Sequence, residues 1–208
     1  MNISRALMGL LMTLLLGQQA AFANEPLEQG PAGTEMAVFA GGCFWCTEAD
    51  FDKVTGVLET VSGYIAGDAK TANYQDVSSG LTEHIEAVAV FYNPEKTNFS
   101  TLVEAFWPTV DPVDGGGQFC DRGAQYRTAL FYADEKQKRT IEASHQALLD
   151  SGRLKKPIVT DILPQTAFYA AEDYHQNYYQ KNPLRYQYYR TSCGRDGRLN
   201  ELWGAARK

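Results

Sequence analysis

The stretch HIEAVAVFYNP, residues 84–94, constrains the fold of this chain more than any other. It alternates with a period of two and stops at Pro94, as a β-strand does. Alternation puts Ile85, Ala87, Ala89 and Phe91 on one face and Glu86, Val88 and Val90 on the other. A carboxylate on an otherwise apolar strand face is partly desolvated, which raises its pKa and leaves it able to donate a proton near neutral pH. The competing reading is a sheet-end glutamate that reaches solvent.

Around this strand the chain alternates strand-like and helix-like segments. EMAVFAGG reads as a short buried strand and VLETVSGY as another. YRTALFYA and IVTDILP add two more. CTEADFDKV reads as a helix. STLVEAFW reads as a second, with Ser100 as its N-cap and Pro108 as its stop. DEKQKRTIEASHQALLDSG is a helix ending at Gly152, AAEDYHQNYYQKN one stopped by Pro183, and GRLNELWGAA a last short one. No Rossmann glycine pattern accompanies them, so the expected fold is a single α+β domain, a two-layer sandwich around a mixed β-sheet. Two long polar loops, GDAKTANYQDVSSGLTE and DPVDGGGQFCDRGAQ, are of the kind that carries function.

Residues 1–23 have a positive n-region ending at Arg5, an apolar run too short to span a bilayer, and Ala21-Phe22-Ala23 before Asn24. That layout predicts a cleaved secretory signal rather than a retained anchor, and hence an exported, periplasmic protein. Residues 24–34 read as a flexible leader and 35–208 as the domain. Loss of Arg5 leaves 18 basic against 25 acidic residues, a charge of −7. An acidic domain without a basic stripe is a poor nucleic-acid binder. The tyrosine- and cation-rich run YHQNYYQKNPLRYQYYR does not alter that.

Four cysteines in an exported chain could form two structural disulfides. Cys43 and Cys46, however, follow a strand and two glycines. Cys43 stands where the free N–H groups of a helix start should favour thiolate, which makes it the better nucleophile of the two. A zinc site needs two further ligands, and Cys120 and Cys193 are isolated from each other. A thioredoxin-like pair would leave the two loops unexplained. A Cys43–Cys46 staple closes too short a loop to stabilise much. A Cys/His hydrolase through His175 has no local signature. Phe44 and Trp45 could form an apolar, polarisable wall for a methyl or thioether group, or simply fill the core.

GGCFWCTE resembles the signature of the A-type peptide methionine sulfoxide reductases, and the likeness extends from about residue 35 to 208. GYIAGDAKTANYQDVSSGLTEHIEAV, DPVDGGGQFCDRGAQYRTALFY and FYAAEDYHQNYYQKNP are similar to three further blocks of that family, in the same order. The resemblance implies that Cys43 attacks the sulfoxide sulfur and becomes a sulfenic acid. It implies that Glu86 protonates the leaving oxygen with Tyr74 and Tyr126 as hydrogen-bond donors. Asp121 would order the site and its water, and Phe44 and Trp45 would hold the substrate methyl group.

Many relatives have glycine where Cys46 stands and resolve the sulfenic acid with C-terminal cysteines. Here Cys46 is the expected resolver, held near Cys43 by the sequence, and Cys193 the alternative. Cys120 reads as a buried passenger beside Asp121. The expected activity is reduction of methionine S-sulfoxide, free or in proteins, without metal or organic cofactor. It would draw on an external dithiol or thioredoxin-like protein, with the enzyme a monomer not inserted in the membrane. The runner-up is a general dithiol–disulfide oxidoreductase using Cys43 and Cys46. A disulfide-stapled binding module is a third class.

Overall fold

The computed structural model describes residues 25–204, so the predicted signal segment lies outside the described residues. From the N-terminus, β1 (Glu35–Gly41) leads into α1 (Phe44–Phe51) and β2 (Val57–Ile65). A short α2 (Tyr74–Ser78) precedes β3 (Ile85–Tyr92) and α3 (Phe99–Phe106). A two-rung hairpin follows, β4 (Gly117–Gln118) and β5 (Asp121–Arg122), then β6 (Thr128–Tyr132) and the long α4 (Glu135–Asp150). The chain closes with β7 (Asp161–Pro164), β8 (Phe168–Ala170), α5 (Tyr178–Lys181), α6 (Pro183–Ser192) and α7 (Arg195–Trp203).

Six strands form one sheet in the order β7-β6-β1-β3-β2-β8. Every pairing is antiparallel except β6 with β7, so the sheet is mixed as expected. β3 lies inside it and is buried along its whole length. Its alternation divides the core. Val88, Val90 and Tyr92 join Phe39 under Phe44, Phe51, Leu102, Phe106 and Ile141 of α1, α3 and α4. Ile85, Ala87, Ala89 and Phe91 face the other cluster with Val38, Ala40, Phe131 and Phe168. Leu27 of the leader packs there too, and its N–H donates to Phe168 O at 2.7 Å.

Helix ends follow local chemistry, with two departures from expectation. α4 starts at Asp134, whose carboxylate accepts from Gln137 N at 2.7 Å, while Gln137 returns a bond from Ala133 N. α3 is capped by Asn98, which accepts from Thr101 N at 3.0 Å, and not by Ser100. Asn98 is in extended backbone, as a cap requires, whereas Ser100 is already helical.

The helix expected over 170–182 shrinks to α5, because its first residues are used elsewhere. Glu172 accepts from Tyr64 OH and Tyr74 N, and Gln176 bonds both N–H and C=O of Ser62. Asn177 then takes a left-handed φ of 52°. Pro183 opens α6 rather than merely ending what precedes it, since a first helical turn has no need of its missing N–H.

Candidate active site

β1 delivers the chain to the site through two glycines with different tasks. Gly42 has φ 85°, and a Cβ there would come within 2.5 Å of Gln118 Cβ. Gln118 is fully buried and holds both polar groups of its side chain on the Asp111 backbone, so it cannot yield. Cys43 is the N-cap of α1, and its carbonyl accepts from Cys46 N and Thr47 N. Its side chain is 6% exposed and that of Cys46 1%.

Glu86 meets this helix start from β3, where it sits opposite Tyr64 in the register. It is 2% exposed, and its Oε2 accepts from Phe44 N at 3.1 Å. Burial pushes the Glu86 carboxyl up to about 8, against the pull of that N–H, and the charges of Asp121 and Cys46 push the same way. Glu86 is therefore a buried carboxyl with a raised pKa and does not reach solvent.

The expectation for Cys43 is reversed. The N–H group at the start of α1 is spent on Glu86, and burial pushes the Cys43 thiol up. A hydrogen bond to Cys46 and the charges of Cys46, Glu86 and Asp121 add to the rise. The Cys46 thiol is instead lowered, to about 7. The bond from Cys43 contributes most, and the charges of Arg195 and Arg190 assist against burial. The two neighbouring thiols thus shift in opposite directions, Cys43 up and Cys46 down.

The loops bring up the rest. Tyr74 opens α2, pinned by its N–H to Glu172 at 2.8 Å. Tyr126 ends a 3-10 turn over Ala124–Tyr126. Burial raises both phenols and the charge of Glu86 raises them further, so both remain hydroxyl donors facing that carboxyl. Asp121 sits in the β4–β5 hairpin and accepts a short hydrogen bond from Tyr189 OH of α6. Burial raises its carboxyl, while Tyr189 and Arg195 oppose the rise.

Phe44 is 1% exposed, packed between the rings of Tyr64 and His175. Trp45 is half-buried. Its indole stacks on Tyr178 with centroids 3.7 Å apart, meets Tyr189 edge-on, and donates from Nε1 to His175 Nδ1 at 3.0 Å. Accepting at Nδ1 requires a neutral imidazole, and burial lowers the His175 pKa accordingly. His175 thus orients Trp45 and has no link to either thiol as a hydrolytic base.

Reading the sequence by segments missed the tyrosines of α5 and α6. Tyr186, Tyr189, Arg190 and Cys193 lie at helical spacing i, i+3, i+4, i+7, so one face of α6 looks into the site. From the run that interleaves aromatics with cations, Tyr178, Tyr186 and Tyr189 pack against this site. Cys120 is a second correction. It is exposed at the hairpin turn and forms a disulfide with Cys193, across 73 residues, with Cα atoms 4.9 Å apart. Both sulfurs lie within 4.8 Å of the Asp121 carboxylate. Cys43 and Cys46 are the free cysteines.

A family model described as peptide methionine sulfoxide reductase matches residues 35–207. The peptide methionine sulfoxide reductase MsrA of Bacillus subtilis is 51% identical over 171 residues, covering 82% of this chain and 97% of that protein. MsrA 2 of Rhizobium meliloti is 44% identical over 202 residues, 96% of this chain and 94% of its own. Among solved structures, methionine sulfoxide reductase A of Corynebacterium diphtheriae superposes with a TM-score of 0.66 at 34% identity, over 74% of this chain and 78% of that one. Reduced Mxr1 of Saccharomyces cerevisiae gives 0.69 at 30%, over 75% and 90%. With a buried dithiol beside a protonated carboxyl and this match across the whole domain, the chain belongs to the peptide methionine sulfoxide reductase family and reduces methionine sulfoxide by thiol chemistry.

Proposed function

We propose that Cys43 is the nucleophile, Glu86 the proton donor and Cys46 the resolving thiol of an A-type reductase acting on the S epimer of methionine sulfoxide. The observation that carries this is the contact of Glu86 with Phe44 N, which fixes a buried acid against the residue that follows the sulfur. In the resting pair Cys43 carries the shared proton and Cys46 the charge. When Cys43 attacks the sulfoxide sulfur, its proton passes to Cys46, and the oxygen, protonated by Glu86, moves to Cys43. The products are the thioether, a Cys43 sulfenic acid, a Cys46 thiol and a Glu86 carboxylate. Cys46 then attacks the Cys43 sulfur, and the hydroxyl leaves with the Cys46 proton as water. Glu86 regains a proton from solvent as an external dithiol opens the disulfide.

Tyr74 and Tyr126, kept protonated, donate hydrogen bonds to the sulfoxide oxygen, Asp121 orders the site, and Trp45 with Phe44 faces the methyl group. No organic group or metal enters this sequence of steps. Substrates are oxidised proteins and free methionine sulfoxide, and the electrons come from a thioredoxin-like reductant. We place the enzyme outside the cytoplasm, in the periplasm, as a monomer freed from its signal segment at Ala23. Support for Cys46 over Cys193 comes from its place within the first turn of α1, where its N–H bonds Cys43 O, and from the engagement of Cys193 with Cys120.

The test is one turnover on a sulfoxide peptide without reductant, followed by disulfide mapping. One equivalent of thioether with a Cys43–Cys46 bridge is expected, and Cys43→Ser should yield none. A bridge from Cys43 to Cys193 would overturn the choice of resolver. Turnover by Cys43→Ser would overturn the nucleophile. Finding that every exported reductant fails to recycle the oxidised enzyme would overturn the placement.

A further inference from the structure

A group of charges buried behind the dithiol is not used by the chemistry above. Asp50 stands one helical turn beyond Cys46 on α1, with its side chain 10% exposed. Two guanidiniums approach its carboxylate, Arg190 at 3.2 Å and Arg195 at 3.8 Å, and the exposed Lys53 reaches it at 3.5 Å. Arg190 has a second carboxylate, Asp196, bound through two nitrogens at 3.0 and 2.8 Å, and it also donates to Tyr186 OH. Arg195 is less well provided. It is 2% exposed, its Nη atoms donate to the carbonyls of Gly41 and Thr109, and its Nε is buried with no hydrogen-bond partner among the described residues.

A buried cation that shares one carboxylate with two others is stable only if further negative charge lies near. Arg195 brackets the dithiol, bonded to Gly41 O two residues before Cys43 and paired with Asp50 one turn beyond Cys46, so Cys46 and Asp121 are the groups whose charge it can meet. We propose that Arg195 is the positioning residue that keeps Cys46 ionised between turnovers, ready to take the proton of Cys43 and then to close the disulfide. The second role rests on Cys46 being the resolver.

Arg195 is itself held by the exposed disulfide. It follows Cys193 by two residues, and its guanidinium lies 4.6 Å from the ring centroid of Phe119, the neighbour of Cys120. The Cys120–Cys193 bridge therefore joins the two segments that seat the cation. The other groups facing Cys46 pull both ways. Cys43 donates to it, and Arg190 assists Arg195. Asp50 opposes, and so does the charge of Glu86 once that group is ionised. Tyr178 and Tyr186 pack on its sulfur side, and Tyr189 lies beside both sulfurs.

The test uses Cys43→Ser with the Cys120–Cys193 disulfide intact, in which Cys46 is the one free thiol and the serine hydroxyl can still donate to it. Thiolate absorbance at 240 nm is followed against pH. Adding Arg195→Met should raise the midpoint by about one pH unit, a roughly fivefold loss of thiolate at pH 7 from a midpoint near 7. Arg195→Lys should restore part of it, and Asp50→Asn should move the midpoint down. Near-UV circular dichroism reports folding, and if Arg195→Met does not fold, the opposite shifts of the other two variants carry the decision.

An unchanged midpoint in folded Arg195→Met, or a rise in Asp50→Asn, overturns the proposal. Disulfide mapping after one turnover, with Cys43 present, tests the resolver separately. A shifted midpoint with a Cys43–Cys193 bridge would uphold the charge on Cys46 and overturn its use in closing the disulfide.

Discussion

Replacing Glu86 by glutamine keeps the shape of the side chain and its ability to accept from Phe44 N, and removes only the proton that can be given away. At pH 7 a carboxyl with a pKa near 8 is protonated in about ten molecules for each ionised one. The variant therefore resembles the resting enzyme in charge and should fold normally. A well-placed general acid contributes about 10²–10⁴ in rate, so methionine formation in a single turnover should slow by that factor. Dithiol exchange by Cys43 and Cys46 should slow much less, which distinguishes a sulfoxide reductase from a general oxidoreductase.

A second signature of the same substitution lies in stability. The folded state holds the Glu86 proton up to about pH 8, whereas the unfolded chain releases it near 4.5. Its contribution is complete below about 4.5 and declines as pH rises towards 8. At about 1.4 kcal/mol per pH unit the decline amounts to a few kcal/mol. Urea unfolding at pH 6 and pH 9 should show the wild type losing about 3 kcal/mol of that stability and Glu86→Gln retaining it, with the wild-type single-turnover rate falling above about pH 8. A variant that keeps its rate within threefold, or that loses as much stability as the wild type between the two pH values, would refute the buried-acid assignment.

His175→Ala removes the acceptor of the Trp45 indole, so KM for a sulfoxide peptide should rise severalfold with kcat little changed, as steady-state kinetics will show. Serine at both Cys120 and Cys193 should cost roughly 4 kcal/mol by chain entropy over the 73-residue separation, measured by chemical unfolding. Cys43–Cys46 closure should persist in that variant. Tyr189→Phe withdraws the hydroxyl that holds Asp121 ionised, so the Asp121 carboxyl should move further up, visible by carboxyl NMR titration, and turnover should fall.

What could be read from the sequence was what depends on near neighbours. Period-two alternation in β3 separates the two core clusters correctly because each face is buried along the strand. The same alternation isolates Glu86 as the one carboxylate among apolar side chains. The site at the strand-to-helix junction follows from the glycines and cysteines side by side. What could not be read depends on distant partners. Glu86, 42 residues from Phe44, takes the N–H that would otherwise serve the sulfur, and the Cys43 thiol, raised chiefly by burial, does not gain the lowered pKa expected of a helix start. The β4–β5 hairpin and the end of α6 meet only in the fold, where Cys120 finds Cys193. Glu172 and Gln176 divert a helical pattern into turns because their side chains bond residues about a hundred positions away.

Gln176 has a further consequence. Ser62 lies on β2 just before the rungs that β8 covers, and the Gln176 amide donates to its C=O and accepts from its N–H, both at 2.9 Å, as a neighbouring strand would. Oxidised proteins, the substrates proposed above, would bring loose segments in search of a free sheet edge. With that rung occupied by one of the protein's own side chains, Ser62 offers no free edge there for another chain to pair with.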